Sequence, residues 1–297
     1  MIAGQAHGIV RQRSLFTAFL RAGLFLVLGL FALYYLLPLF VMLATSFKSL
    51  EEIRSGSLIA LPRAITFAPW VSAWKSACVG VQCEGLRPYM LNSVAMVAPA
   101  VAISTMLGAI NGFALTKFRF PGSNAIFALL LLGCFIPFQV VLLPMARMLG
   151  LMGLAGSIPG LVLVHVVYGI AFTTLFFRNF LVGISDSIVH AARIDGAGFF
   201  GIFLRIIVPM SLPAFVVTVI WQFTQIWNDF LFGVAFTTSV SSPVTVALNN
   251  LVASSTGVKE YNVDMAAAII AGLPTLLVYV LAGKYFIRGL SAGAVKG

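Results

Sequence analysis

Between Arg21 and Lys48 the chain carries no charged residue, and comparable uncharged apolar runs return five more times before the end. A helix needs about 20 apolar residues to cross a hydrocarbon core roughly 30 Å thick. Six stretches meet that length, at approximately 22–45, 89–114, 123–146, 157–177, 207–236 and 265–283. The runs are continuous and do not alternate polar with apolar residues over about ten positions, which excludes an outer-membrane barrel. The expectation is therefore an all-α membrane protein with six transmembrane helices. Only 9% of the 297 residues are charged, against roughly a quarter in a soluble domain, so a soluble fold is excluded as well.

The first run follows Arg11, Arg13 and Arg21 and has the outline of a signal peptide. At about 24 residues it exceeds the usual 7–15-residue apolar region of such a peptide and reads as a retained helix. Residues 1–21 are then an N-terminal segment, and residues 22–297 a single transmembrane domain with no repeat, low-complexity tract or composition shift.

Six spans place both termini on one side of the membrane. With the N-terminus cytoplasmic, the inner segments hold Arg11, Arg13, Arg21, Lys117, Arg119, Arg178, Arg193, Arg205, Lys284, Arg288 and Lys296 against Asp186 and Asp195, an excess of nine cations. The outer segments hold seven cations against five acids, an excess of two. The net charge of +10 is thus mostly a topology signal. It needs no anionic partner, and the separated cations do not form a nucleic-acid surface.

Three cysteines supply neither a disulfide framework nor a zinc site. Cys134 falls inside the third run and reads as packing. Cys78 and Cys83 lie in the first outer loop, where an oxidising compartment allows a disulfide; two unpaired thiols are the other reading. Prolines 38, 99, 137, 144, 159, 209, 213 and 274 lie in or at the edge of spans. They belong either to ordinary bundle packing or to kinked helices lining a pathway. Gly108 and Gly112 form a GxxxG pair and read as packing.

The inner segment at about 178–206 carries the most specific pattern, HAARIDGAGFFGIFLRIIVPMSLP over residues 190–213. Ser185, Asp186 and Ser187 are suited to cap a short helix. Its small residues Ala191, Ala192 and Ala197 allow another surface to approach closely. Gly196 and Gly198 permit a sharp turn. Phe199, Phe200, Phe203, Ile206 and Ile207 then recur at helical spacing up to Pro209 and Pro213, as in a helix lying in the interface.

This segment resembles the EAA loop of ATP-binding-cassette importer permeases, through Ala191, Ala192, Asp195, Gly196, Ala197, Pro209 and Pro213. His190 stands where that family usually has Glu. The phrases TSFKS (45–49), NSV (92–94), ALTKFRFPG (114–122), WNDFLF (227–232) and RGLSAGAVKG (288–297) extend the resemblance to the carbohydrate branch, and to the six-span second permease of maltose-type transporters. The resemblance implies that residues His190, Ala191, Ala192, Asp195, Gly196 and Ala197 form a cytoplasmic coupling helix between spans four and five, seated on an ABC ATPase dimer. It further implies a second permease subunit and a periplasmic sugar-binding protein as partners. By position it also implies that the outer loop at 239–264 reaches the binding protein, although its composition is equally that of a connector. The C-terminal Lys284, Arg288 and Lys296 either contact the ATPases or satisfy the positive-inside bias alone.

In the fifth run Thr218, Gln222, Gln225 and Asp229 fall at i, i+4, i+7 and i+11, one face of an unbroken helix. Trp221 and Asn228 flank them. Amides and carboxylates hydrogen-bond sugar hydroxyls, and aromatic rings stack on the C–H faces, so these six residues are a candidate translocation path. Interhelical hydrogen bonding is the competing role. Gln139, His165 and Tyr168 are further polar candidates in spans three and four, with the same two readings.

No GxxxxGK[ST] phosphate loop is present. The chain is expected to be no enzyme and to bind no cofactor itself, with ATP and Mg handled by the partner ATPase. The expected function is the permease subunit of a binding-protein-dependent sugar importer in the cell inner membrane, surrounded by lipid. The substrate guess is a glucose- or mannose-type monosaccharide. The alternative is an ion-coupled secondary transporter, which would require internal repeats and ionisable residues at the midplane.

Overall fold

A computed structural model describes the backbone of residues 3–118, 120–253 and 258–294, and the side chains of residues 17–118, 120–253 and 258–283. The side chains of Arg11, Arg13, Lys284 and Arg288, the whole of Arg119 and Lys296, and the side chains of the tail phrase at 288–297 lie outside the described residues. So does part of the expected outer loop, at 254–257.

In chain order the helices are α1 (Ala3–Ser46), α2 (Leu50–Ser55), α3 (Ala68–Lys75), α4 (Arg87–Lys117), α5 (Ser123–Gly133), α6 (Phe138–Leu151), α7 (Ile158–Val182), α8 (Asp186–Ile194), α9 (Phe199–Ile202), α10 (Val208–Met210), α11 (Leu212–Trp227), α12 (Leu231–Phe236), α13 (Val244–Ala253) and α14 (Tyr261–Ala294). A π-helical turn at Phe203–Ile207 joins α9 to α10. Among the described residues there is no strand, only two isolated bridges, Val79 with Gln82 and Gly156 with Thr237. The chain divides into two compact units, Met1–Val71 with Lys259–Ile269, and Ser72–Val258 with Ile270–Gly297.

In the first unit α1 is apolar all round beyond Arg21, and Phe25, Leu33 and Tyr35 are exposed on different sides of it. A helix of this kind requires a hydrocarbon environment. Its end is a packed knot rather than the start of a loose loop. Ser46 Oγ donates to the Leu43 carbonyl at 2.8 Å. Lys48, only 2% exposed, donates to the Ser57 carbonyl at 3.3 Å. The Lys48 carbonyl in turn accepts from Asn262 Nδ2 at 2.9 Å. Phe47 stacks on Trp70 at 5.4 Å and meets Phe67 edge-on.

The second unit is organised by α4 and α7. Their contacts advance together, Ser104 with Gly169, Gly108 with Thr173 and Gly112 with Phe177, so the two helices run parallel. Glycine is required at Gly108, where a Cβ would fall on the Thr173 side chain, and at Gly112, where it would fall on Phe177. The GxxxG pair is therefore a packing feature. Thr173 Oγ1 donates across the interface to the Ser104 carbonyl at 2.9 Å. Gln222 Nε2 on α11 donates to Ser104 Oγ at 2.7 Å, which locks the third helix on. Trp227 Nε1 donates to the Ala271 carbonyl of α14 at 2.9 Å.

Two of the expected spans are not continuous helices. Among the described residues four helices are long and apolar enough to cross a membrane, and six spans result only if each of two bent pairs counts as one. The run at 123–146 breaks between α5 and α6, which meet at 101°. Pro137 there has no N–H to continue the ladder, and Cys134 and Phe135 close the first helix on Leu131 and Leu132 instead. The run at 207–236 bends by 80° at Ser211, where Pro213 occupies the first turn of α11, a position that needs no N–H. It breaks again at Asn228–Phe230, before α12.

Gly108→Val should lower the melting temperature of the purified chain in detergent, since overpacking costs about 1–3 kcal/mol. Gly150→Ala, a helical position with open space around the added carbon, should not lower it. An unchanged melting temperature for Gly108→Val would mean that α4 and α7 do not depend on this approach.

Candidate functional site

The 185–198 segment forms α8, capped as expected by Ser185, whose Oγ accepts from the Ser187 N–H at 3.3 Å. Gly196 closes it at φ +81°. Val189 and Ala192 face inward, into a core with Phe113, Phe177, Leu181, Phe203 and Ile207, and Ala197 packs at its edge. Of the small residues expected to admit another surface, Ala192 is thus already covered by this chain's own core and Ala197 partly so. The outward face consists of His190, Ala191, Ile194, Asp195 and Gly196, with Ile194 87% exposed.

What holds α8 is a residue from α4. Lys117 Nζ donates to Asp186 Oδ1 at 2.6 Å and to the Ile184 carbonyl at 2.5 Å. Arg193 lies over the Phe118 ring at 4.0 Å and donates to the Lys117 carbonyl at 3.4 Å. A groove of about 430 Å³ beside α8 is lined by Thr116, Lys117, Phe118, Asp186, Val189, His190 and Arg193. The roles of Lys117 and Phe118 are not evident from the phrase ALTKFRFPG; its basic-aromatic doublet KF is the one local signal.

A second polar cluster lies between α5, α6, α7, α11 and α12, around a cavity of about 130 Å³. Trp221, Gln222, Gln225 and Asp229 all line it, together with His165, Tyr168, Phe172 and Phe232. Trp221 and Phe172 stack face to face, with centroids 3.8 Å apart and planes within 4°. The expected single stripe does not exist as such, because Asp229 stands beyond the end of α11. Its carboxylate accepts from the backbone N–H groups of Phe232 at 3.4 Å and Gly233 at 3.2 Å, and so caps α12. Asp229 nevertheless reaches the cavity, and its Oδ2 lies 3.7 Å from His165 Nε2.

The remaining sequence candidates fall elsewhere. Thr218 is fully buried away from the cavity lining, and Asn228 is exposed, donating to the Thr224 carbonyl at 2.9 Å. Gln139 is exposed and does not line the cavity. Cys78 and Cys83 are paired as a disulfide in the turn that the Val79–Gln82 bridge closes. The aromatic wall was only partly visible in sequence: Phe172 lies one turn from Tyr168 on α7, but Phe232 arrives from beyond the helix break.

A family model described as binding-protein-dependent transport system inner membrane component matches residues 88–291. A probable ABC transporter permease protein of Pyrococcus horikoshii is 41% identical, over 92% of this chain and 96% of that protein. The xylose/arabinose import permease protein of Haloferax volcanii is 32% identical, over 88% of this chain and 89% of its own. The glucose import system permease protein of Saccharolobus solfataricus is also 32% identical, over 92% and 95%. A chain in the crystal structure of a bacterial ABC transporter involved in import of the acidic polysaccharide alginate shares the fold, with a TM-score of 0.78 at 21% identity, covering 91% of this chain and 97% of that one.

Lys117→Met removes the ammonium that Asp186 and the Ile184 carbonyl both accept from. A nitroxide attached at position 191 should then report faster motion than in the otherwise unaltered chain. An unchanged spectrum would show that α8 is held by its apolar face alone.

Proposed function

Because the chain belongs to the family of binding-protein-dependent transport system inner membrane components, multi-pass proteins of the membrane, we propose that it works as the permease subunit of an ATP-driven sugar importer. It supplies half of the path, and a second permease supplies the other half. A periplasmic binding protein delivers the sugar, and an ABC ATPase dimer hydrolyses ATP with Mg. Both termini are cytoplasmic in this reading, each bent helix pair acts as one of six spans, and α4 and α7 descend together toward the ATPases. The cargo is a monosaccharide of glucose or mannose type, in keeping with the monosaccharides named for the Haloferax and Saccharolobus relatives.

One observation carries the reading: α8 is clamped on its inner side by Lys117 and by a hydrophobic core, while Ala191, Ile194, Asp195 and Gly196 face outward. A helix rigidly joined to its own chain and open on its other face transmits displacement as a rigid body. Asp195 and Gly196 at its end are exposed to a docking partner, and His190 meets that partner where the family pattern has a carboxylate.

Proline fixes φ near −65°, whereas Gly196 has φ +81°. Gly196→Pro should leave the chain in the membrane but lower ATP-driven sugar uptake by roughly tenfold or more in proteoliposomes holding the complex from native membranes. Normal uptake by this variant would overturn the coupling role. Uptake sustained by a proton or sodium gradient without ATP would replace the importer with a secondary transporter.

A further inference from the structure

We infer that the cavity between α7 and α11 is a subsite that reads the hydroxyl groups of an uncharged sugar, so that this subunit itself holds cargo rather than only walling the path. The inference rests on the importer reading and names the chemistry of its path. Two buried polar atoms of residues that line the cavity, His165 Nε2 and Tyr168 Oη, have no hydrogen-bond partner among the described residues. His165 is only 5% exposed. Leaving a buried polar group unsatisfied is costly, so such atoms point to a ligand or a water.

Helix-to-helix bonding, the competing role, looks different in this molecule. Gln222 lies one turn away from Gln225 and is satisfied within the bundle by Ser104 at 2.7 Å. His165 and Tyr168 have no equivalent contact. The 3.7 Å between His165 Nε2 and Asp229 Oδ2 exceeds a hydrogen bond. A hydroxyl fits such a pair, because it donates to a carboxylate and accepts from a ring N–H or a phenol. Asp229 can take it, since its two oxygens offer about four acceptor positions and the backbone N–H groups of Leu231, Phe232 and Gly233 leave capacity over.

Trp221 and Phe172 line the cavity and stack on each other, adding apolar ring surface next to these groups of the kind that packs against the C–H bonds of a pyranose. Among the described residues no Lys or Arg lines the cavity. With the Asp229 carboxylate and no cation, the site favours neutral sugars and disfavours uronates. The volume of about 130 Å³ suits one edge of a monosaccharide.

The test is equilibrium dialysis of the complex purified from native membranes, without its binding protein, against radiolabelled D-glucose and D-glucuronate. D-Glucose should bind saturably and D-glucuronate should not. Tyr168→Phe and Gln225→Ala should each weaken D-glucose binding roughly three- to tenfold, the range of one hydrogen bond. One member of the monodeoxyglucose series, lacking the hydroxyl read by Tyr168, should lose no further affinity in Tyr168→Phe. A merely structural role for Tyr168 would weaken every sugar alike. Equal binding of glucuronate, unchanged glucose binding in both variants, uniform loss across the deoxy series, or no saturable glucose binding would each overturn the subsite. ATP-dependent uptake by the same complex reports on the importer reading separately, so the subsite can fail while the importer stands.

Discussion

The absence of side chains at Gly108 and Gly112 allows α4 and α7 to touch, and both candidate sites hang from that contact. Its register brings Ser104 against Gly169, which lets Thr173 and Gln222 share Ser104 and locks α11 beside them. The N-terminal half of α7 then presents His165 and Tyr168 to α11 and α12. The C-terminal end of α4 carries Lys117 to α8. Lipid offers no hydrophobic incentive for two apolar helices to associate, so close packing and shared hydrogen bonds must supply it.

The second constraint is that backbone groups in a membrane have no water to turn to. Each helix break in the spans is accordingly managed by local chemistry. At Pro137 the missing donor falls where α6 begins, so no bond is forfeited. At Ser211 the N–H is held by the carbonyls of Ile207 and Val208. At Asp229 the side chain itself replaces the helical acceptors for two N–H groups, and its own carbonyl accepts from Thr245 Oγ1 at 2.6 Å. A charge that would be costly at membrane depth is here a structural cap with capacity left over.

How much was legible in the sequence follows from which forces act over short distances. The apolar runs were legible because crossing a bilayer is a demand on composition alone. The short helix at 186–194 was legible through Ser185 and the turn at Gly196, both local signals. The inward direction of Ala192 and Ala197 was not, because it depends on Phe177 and Leu181, which come from another helix. The stripe of Thr218, Gln222, Gln225 and Asp229 assumed an unbroken helix, and periodicity carries no information about a break created by Asp229 bonding to the residues after it. TSFKS likewise hid its purpose, since the partner of Lys48 in the chain fold, Asn262, lies more than two hundred residues away.

The parallel register of α4 and α7 has a mechanical consequence. From His165 to Leu181 the α7 helix extends about 24 Å at 1.5 Å per residue, and along that length it is keyed to α4 at successive turns. The pair cannot slide or bend independently and behaves as one lever, with α8 fixed at one end and the polar cavity at the other. Rotating such a lever by about 5° moves its far end by about 2 Å, comparable to the difference between making and losing a hydrogen bond. A small tilt imposed at α8 would therefore be felt in the cavity as a change in the spacing of its polar groups, without any rearrangement inside the helices that connect them.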